Sequence, residues 1–363
     1  MVSSPFSRLP GAVGDPPEHY GSPIGEQRAL ERGEAVVDLS DRDVVAVSGE
    51  DRLTWLDALT SQALATLAPG TSTETLLLDP SGRIEHAARV VDDGTTTWLL
   101  LDAGAGASMA AFLERMRFRS AVEVADRSAE FATVGTLGDP PLLEPAGSDV
   151  PRPVTWVDPW RAVTAGGWQY ATAAEHPGAS WTWSETLVPR DRLGELTALP
   201  HAGTLAAEAL RIAVWRPREA TELDAATLPH ELDWLRSAVH LAKGCYRGQE
   251  TVAKVHNLGH PPRRLVLLHL DGSEGAVVRG GDEVLAGAAG AEPVGVGRVT
   301  AAAVHHELGP IALALVRRSA DRVADLVVVT DDGTRVAAAQ EIIVPPDAGA
   351  TAGVPRMPRL ARR

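Results

Sequence analysis

The spacing of hydrophobic residues changes period near residue 263, and that change places two fold regimes in one chain. Beyond it, short β-branched and leucine-rich runs (265–270, 294–300, 311–316, 326–329 and 341–344) alternate with glycine and Asp-Gly turns. Asp332-Gly333 is a hairpin signal. Runs of strand length at this spacing predict a small all-β barrel or sandwich of about 85 residues. Before residue 263, runs with period 2 alternate with helical stripes, but without the regular strand–helix–strand rhythm of a parallel sheet. The chain is therefore expected to be α+β, and its 363 residues allow two or three domains.

Strands are expected at 35–39, 44–47, 76–78, 84–91, 97–101 and 121–124. Asp79-Pro80-Ser81-Gly82 and Asp93-Gly94 supply tight turns between them. Ser48 and Asp51 mark the start of a helix that carries Leu53, Leu56 and Leu59. Met109, Phe112, Leu113 and Met116 fall at i, i+3, i+4 and i+7 of a second helix. Residues 185–215 read as helical, with Leu205, Ala209 and Ile212 on one face, and the Pro-rich stretch 138–160 reads as a loop. Residues 1–24 and 346–363 lack periodicity and are expected to be disordered tails, the second ending in Arg356, Arg359, Arg362 and Arg363.

Charge and cysteine content exclude several functions. The chain holds 34 basic and 48 acidic residues, a net charge of −14, which disfavours binding to nucleic acid through its phosphates. Between His240 and Arg264, however, five basic residues (Lys243, Arg247, Lys254, Arg263 and Arg264) face one acid, Glu250. This island fits either a small anionic ligand or an ordinary solvated loop. With Cys245 as its single cysteine, the chain can form no intrachain disulfide and no cysteine-based zinc or iron–sulfur site of its own, which suits a reducing, cytoplasmic setting. No apolar run approaches the ~18 residues that cross a bilayer, and residues 1–17 lack the pattern of a secretory signal, so no membrane association is expected. Phosphate-binding Gly-rich loops ending in Lys-Ser/Thr, HExxH, paired CxxC and Gly-x-Ser-x-Gly are absent from the sequence. Gly295-x-Gly297 is read as a hairpin or bulge.

The segment Lys243-Gly244-Cys245-Tyr246-Arg247-Gly248-Gln249-Glu250 stands apart. Its glycines permit tight turns, and a helix beginning at Gln249 would point amide groups at anything bound there. Cys245 precedes that helix between two cations, a setting that activates a thiol; the alternative is a structural cysteine in a tight loop. His256 and His260 are read as polar groups at a helix end and His305-His306 as surface residues, so no metal site is expected. Asp224, Glu231 and Asp233 form either an acid/base set or a solvated acidic face.

This segment resembles the KGCYxGQE signature of the YgfZ family, folate-binding proteins related to the glycine-cleavage T-protein. Ala209-Leu210-Arg211-Ile212 with Pro217 resembles the family's ALRIEAGxP segment, and Thr227-Leu228-Pro229-His230-Glu231 resembles its IPxE element. The stretches 47–59, 76–84 and 308–314 resemble further T-protein regions, so the likeness spans about residues 25–345. It implies a three-domain ring of mixed α+β folate-binding domains closed by a C-terminal β-barrel. The corresponding boundaries are 25–262, divided into 25–125 plus 200–262 and 126–199, followed by a barrel at 263–345. It also implies tetrahydrofolate as cofactor, and support of iron–sulfur cluster assembly or repair in partner enzymes, tRNA-modifying ones included. Cys245 would be the reactive group, and Lys243, Gly244, Tyr246, Arg247, Gly248, Gln249 and Glu250 would bind the cofactor. The alternative implied is a tetrahydrofolate-dependent aminomethyl or methyl transferase, with Glu85 as its carboxylate.

The chain also departs from the pattern. Glu85 and His86 stand where T-proteins carry adjacent aspartates, and Cys245 stands where they read KGD. Ala213 replaces the glutamate that contacts the pterin, while Trp215 and Arg216 occupy the segment where the family carries glycine. A pterin offers adjacent N–H donors that a carboxylate satisfies. Glu208, or else Glu219, is the expected substitute.

Overall fold

A computed structural model describes residues 3–141, 154–273, 275–287 and 293–353. Two five-stranded sheets and a closed six-stranded barrel organise the chain, so the α+β class with a C-terminal barrel is what the sequence pattern produces. The first sheet runs Ser72–Leu78, Ile84–Asp92, Thr96–Leu101, Asp43–Ser48 and Glu123–Asp126 in spatial order, all antiparallel. Helices Arg52–Leu59 and Gly106–Met116 cover one face, where Val45, Val47, Leu99 and Leu101 meet Leu56, Met109 and Leu113. The alternate residues Val44, Ala46, Leu76, Leu78 and Leu100 enter the central core. A sheet buried on both faces explains why its strands read as continuous apolar runs rather than alternating ones.

The second sheet runs Thr155–Val157, Ser184–Pro189, Phe131–Thr136, Val36–Leu39 and His201–Ala202, the last pair being parallel. Val36–Leu39 therefore joins strands from 131–189, and not the sheet that follows it in sequence, which departs from the expected division at residue 125. Residues 185–215 are not one helix. They form the end of Ser184–Pro189, a 3-10 segment Arg190–Ala198, the short strand His201–Ala202 and helix Thr204–Ala213. Pro189, Pro200 and Gly203 interrupt the helical pattern, and Leu205 is exposed while Ala206, Ala209, Leu210 and Ile212 are buried. Thr155–Val157 is likewise a strand within the stretch expected to be loop.

In the barrel, strands Arg263–Leu270, Gly309–Arg317, Val294–His305, Glu283–Ala286, Leu326–Val329 and Arg335–Ile342 follow one another and close. Between Gly295 and Gly297 the register slips by one residue, a β-bulge.

The N-terminal segment is not a loose tail. Phe6 is fully buried with Val36, Val134, Val188 and Leu193, and the Ser4 hydroxyl donates to Asp38. The Glu26 carboxylate accepts the amides of Tyr20, Ser22 and Gly203. One aromatic anchor and a few side-chain bonds hold this segment, and neither leaves a periodic trace. At the other end, Thr351 and Ala352 donate their amides to the carbonyls of His256 and Asn257, so residues 346–353 also pack. The C-terminal arginines lie outside the described residues.

Candidate functional site

Residues 243–250 form a loop that enters helix Gln249–Leu258. Gly248 caps that helix at a φ of +82°, where a Cβ would lie 2.5 Å from the Asp79 carbonyl oxygen and 3.0 Å from Gly82 Cα. The loop is thus seated on the Asp79–Gly82 hairpin turn, and the two glycine-bearing motifs meet in space. Gly248→Ala combines left-handed backbone with a clash, and should destabilise the protein by about 1–3 kcal/mol. A denaturation midpoint equal to wild type would contradict this seating.

Most of the basic island is spent internally. Lys243 Nζ donates to the carbonyl oxygens of Thr60 (2.9 Å), Gln62 (2.7 Å) and Asp57, just past helix Arg52–Leu59, and burial lowers its pKa. Arg247 makes a two-pronged pair with Glu85, and its guanidinium lies 5.2 Å from the Phe112 ring centre. Arg263 is paired with Asp224 and Glu231, and Arg264 is fully buried inside the barrel. Four of the island's five cations are thus engaged by groups distant in sequence, while Lys254 is exposed on helix Gln249–Leu258. Tyr246 is half-buried, its hydroxyl pushed up to about 12 by burial, and Gln249 Oε1 accepts its amide at 2.9 Å. Gly244, Cys245 and Glu250 are exposed.

A separate pocket of about 320 Å³, partly open to solvent at Asp15, Glu18 and Asp41, is lined from both sheets and from helix Thr204–Ala213. None of residues 243–250 lines it; Glu208 does. Both Glu208 oxygens are occupied, one by Arg211 and the other by Arg211 and Arg218. Burial would raise its pKa, but the two guanidiniums hold it at about 2. Glu219 is occupied by His86 and the Ala87 amide. Neither expected substitute for the missing glutamate offers an unpartnered oxygen.

Two acids that sequence reasoning passed over do. Glu74 Oε2 accepts Arg216 (2.6 Å) and the Trp234 indole (3.1 Å), leaving Oε1 buried without a partner. Glu185 Oε1 accepts Arg42 and the Trp183 indole (2.9 Å) and is ion-paired with Arg89 (3.2 Å), leaving Oε2 buried without a partner. Burial raises the Glu185 pKa, but Arg42 and Arg89 outweigh it and hold the carboxyl low. Trp181, Trp183 and Trp234 line the same space. An unsatisfied buried acceptor costs about 1–3 kcal/mol, so such atoms point to an absent donor. The lining carries five arginines and nine carboxylates, which favours a hydrogen-bond-donating group over an anionic one at these walls. Ala213 closes helix Thr204–Ala213, and Trp215, at a φ of +62°, is buried beyond it against His176.

An outer cleft adjoins this cavity. The two share Asp102 and Glu219, and the cleft is also lined by Asp79 and Glu85, the residues that contact Gly248 and Arg247. The loop bearing Cys245 and the cavity are thus linked through the cleft and do not form a single pocket. Among the described residues, no three His, Cys, Asp or Glu side chains converge as a metal site.

Residues 263–343 match the glycine cleavage T-protein C-terminal barrel domain. The chain is 27% identical over 240 residues to the mitochondrial iron–sulfur cluster assembly factor IBA57 homolog of Mycosarcoma maydis, covering 62% of this chain and 55% of that protein. It is 28% identical over 261 residues to a putative chloroplastic transferase of Arabidopsis thaliana, covering 67% of this chain and 57% of that one. The match thus spans little more than half the length of these relatives. The crystal structure of glycine cleavage system aminomethyltransferase T from Bartonella henselae superposes with a TM-score of 0.70 at 16% identity, covering 94% of this chain and 96% of that one, and establishes the shared fold.

Proposed function

We propose that this chain, a YgfZ-like member of the T-protein family, is a folate-associated accessory factor for iron–sulfur cluster assembly or repair in partner enzymes, tRNA-modifying ones included. The observation that carries the folate half is the partly open cavity lined by three tryptophans and by Glu74 and Glu185, each of which keeps one oxygen without a protein partner. A pterin edge supplies adjacent N–H donors for such oxygens, and its flat ring suits indole walls. Glu74 and Glu185 would therefore hold the ring in place of the glutamate that Ala213 replaces. When bound, tetrahydrofolate supplies a carrier for one-carbon groups. The iron–sulfur half rests on the Mycosarcoma maydis relative, named as an assembly factor, and on the exposed thiol of Cys245. A single thiolate holds no cluster, so Cys245 would meet one only together with ligands from a partner protein. A lone exposed thiol also suits a reducing compartment such as the cytoplasm. Among the described residues, no helix is long and apolar enough to cross a membrane.

The transferase alternative calls for a carboxylate at the folate. Glu85, its candidate, is paired with Arg247 in the outer cleft and does not line the cavity, which favours the accessory reading.

Because three indoles line the cavity, titration with tetrahydrofolate should quench tryptophan fluorescence saturably. Quenching that stays linear with ligand concentration would contradict a bound pterin.

A further inference from the structure

We propose that Ser108, His86 and Glu219 form an acyl-transfer triad in the outer cleft, an activity separate from the folate and iron–sulfur reading. All three side chains line that cleft. His86 Nδ1 lies 2.9 Å from Glu219 Oε1, and His86 Nε2 lies 3.0 Å from Ser108 Oγ. A carboxylate only accepts, so Nδ1 carries the ring proton and Nε2 is left bare to take the serine proton. The other Glu219 oxygen is fixed by the Ala87 amide at 2.6 Å, so the carboxylate is itself anchored. Nucleophile, base and orienting acid thus stand in sequence at hydrogen-bond distance.

Ser108 is the third residue of helix Gly106–Met116 and is exposed. Its hydroxyl also lies 2.9 Å from the Ala105 carbonyl, a second acceptor in the resting state. The first amide of that helix, Gly106, donates to Asp43 Oδ2 at 2.7 Å; the amides that follow it in the first turn lack intrahelical acceptors and would be the donors to an oxyanion. The five carboxylates of the cleft against one arginine, Arg83, select a neutral or cationic acyl ester or thioester.

In the first half-reaction Ser108 Oγ bonds to the acyl carbon while its proton passes to His86 Nε2. The carbon–oxygen or carbon–sulfur bond to the leaving group breaks, and the alcohol or thiol departs with that proton. Water then attacks the acyl-serine, losing a proton to His86. The acid leaves, and Oγ recovers its proton.

The test is incubation of the full chain with a neutral dialkyl fluorophosphate, followed by intact mass and peptide mapping, beside hydrolysis of p-nitrophenyl acetate. One adduct on Ser108 is expected, with fluoride leaving and the serine proton passing to His86. Labelling should be lost in Ser108→Ala, fall roughly 10²-fold or more in His86→Gln, and fall at least about tenfold in Glu219→Gln. Wild-type protein that takes no label on Ser108 overturns the proposal, whatever the variants do. So does a wild-type labelling rate in His86→Gln.

Discussion

Arg216→Ala should destabilise the protein by about 3–5 kcal/mol, the cost of leaving buried charges without their partner. The Arg216 side chain is almost wholly buried and bonds Glu74 at 2.6 Å and Asp158 at 2.9 Å. Its guanidinium lies 5.3 Å from the Trp160 ring centre and 5.6 Å from that of Trp234. Removing it leaves two buried carboxylates bonded to indoles without the guanidinium that joins them. Arg216→Lys should recover only part of the loss, since one ammonium cannot reproduce a fork that meets two acids and stacks on two rings. Chemical denaturation of the three proteins side by side checks this. An alanine variant as stable as wild type would contradict this account of the core.

The second large effect is functional and leaves the fold intact. Cys245→Ala should abolish rescue of a strain defective in iron–sulfur enzyme maintenance, while its melting temperature stays at the wild-type value. The thiol is exposed and the adjacent Gly244 faces open space, so its replacement removes no packing. The loop is held instead by Lys243 on the carbonyls of Thr60 and Gln62, by Gly248 on the Asp79 turn and by the Arg247–Glu85 pair. Full rescue by the alanine variant, with normal activity of cluster-dependent enzymes, would remove the thiol from the account.

The barrel was legible because each of its signals is local: strand-length apolar runs, the Asp332-Gly333 turn, and glycines where the register slips. The seat of the 243–250 loop was half legible, since its glycines announced tight turns but not the hairpin they would meet. What sequence could not supply was the choice of distant partners. Arg247 finds Glu85, 162 positions away, and Arg216 finds Glu74, 142 positions away. Cations clustered in sequence are therefore dispersed in space, Arg247 and Arg263 to carboxylates and Lys243 to backbone carbonyls. Glu74 and Glu185 do not stand out in the sequence because the apolar pattern begins the first of their strands at 76 and reads 185–215 as helix, whereas both lie within β-strands, Ser72–Leu78 and Ser184–Pro189. A signal was available: a glutamate inside a strand buried on both faces needs a partner, and this chain places tryptophans and arginines within reach of both. The order of residues 4–22 rests on Phe6 and on the Glu26 carboxylate, single anchors that no periodicity records.

Calorimetric titration of the full chain with tetrahydrofolate, beside Glu74→Gln, tests the central claim most directly. Glutamine keeps an oxygen for Arg216 and Trp234 but places an NH₂ where the unpartnered oxygen stood. The account predicts saturable binding to wild type, weakened about 10- to 100-fold in Glu74→Gln, the worth of a charge-assisted hydrogen bond. It also predicts binding unchanged in Arg247→Ala, since that cation does not line the cavity. No binding to wild type at millimolar tetrahydrofolate, or equal affinity in Glu74→Gln, would contradict it.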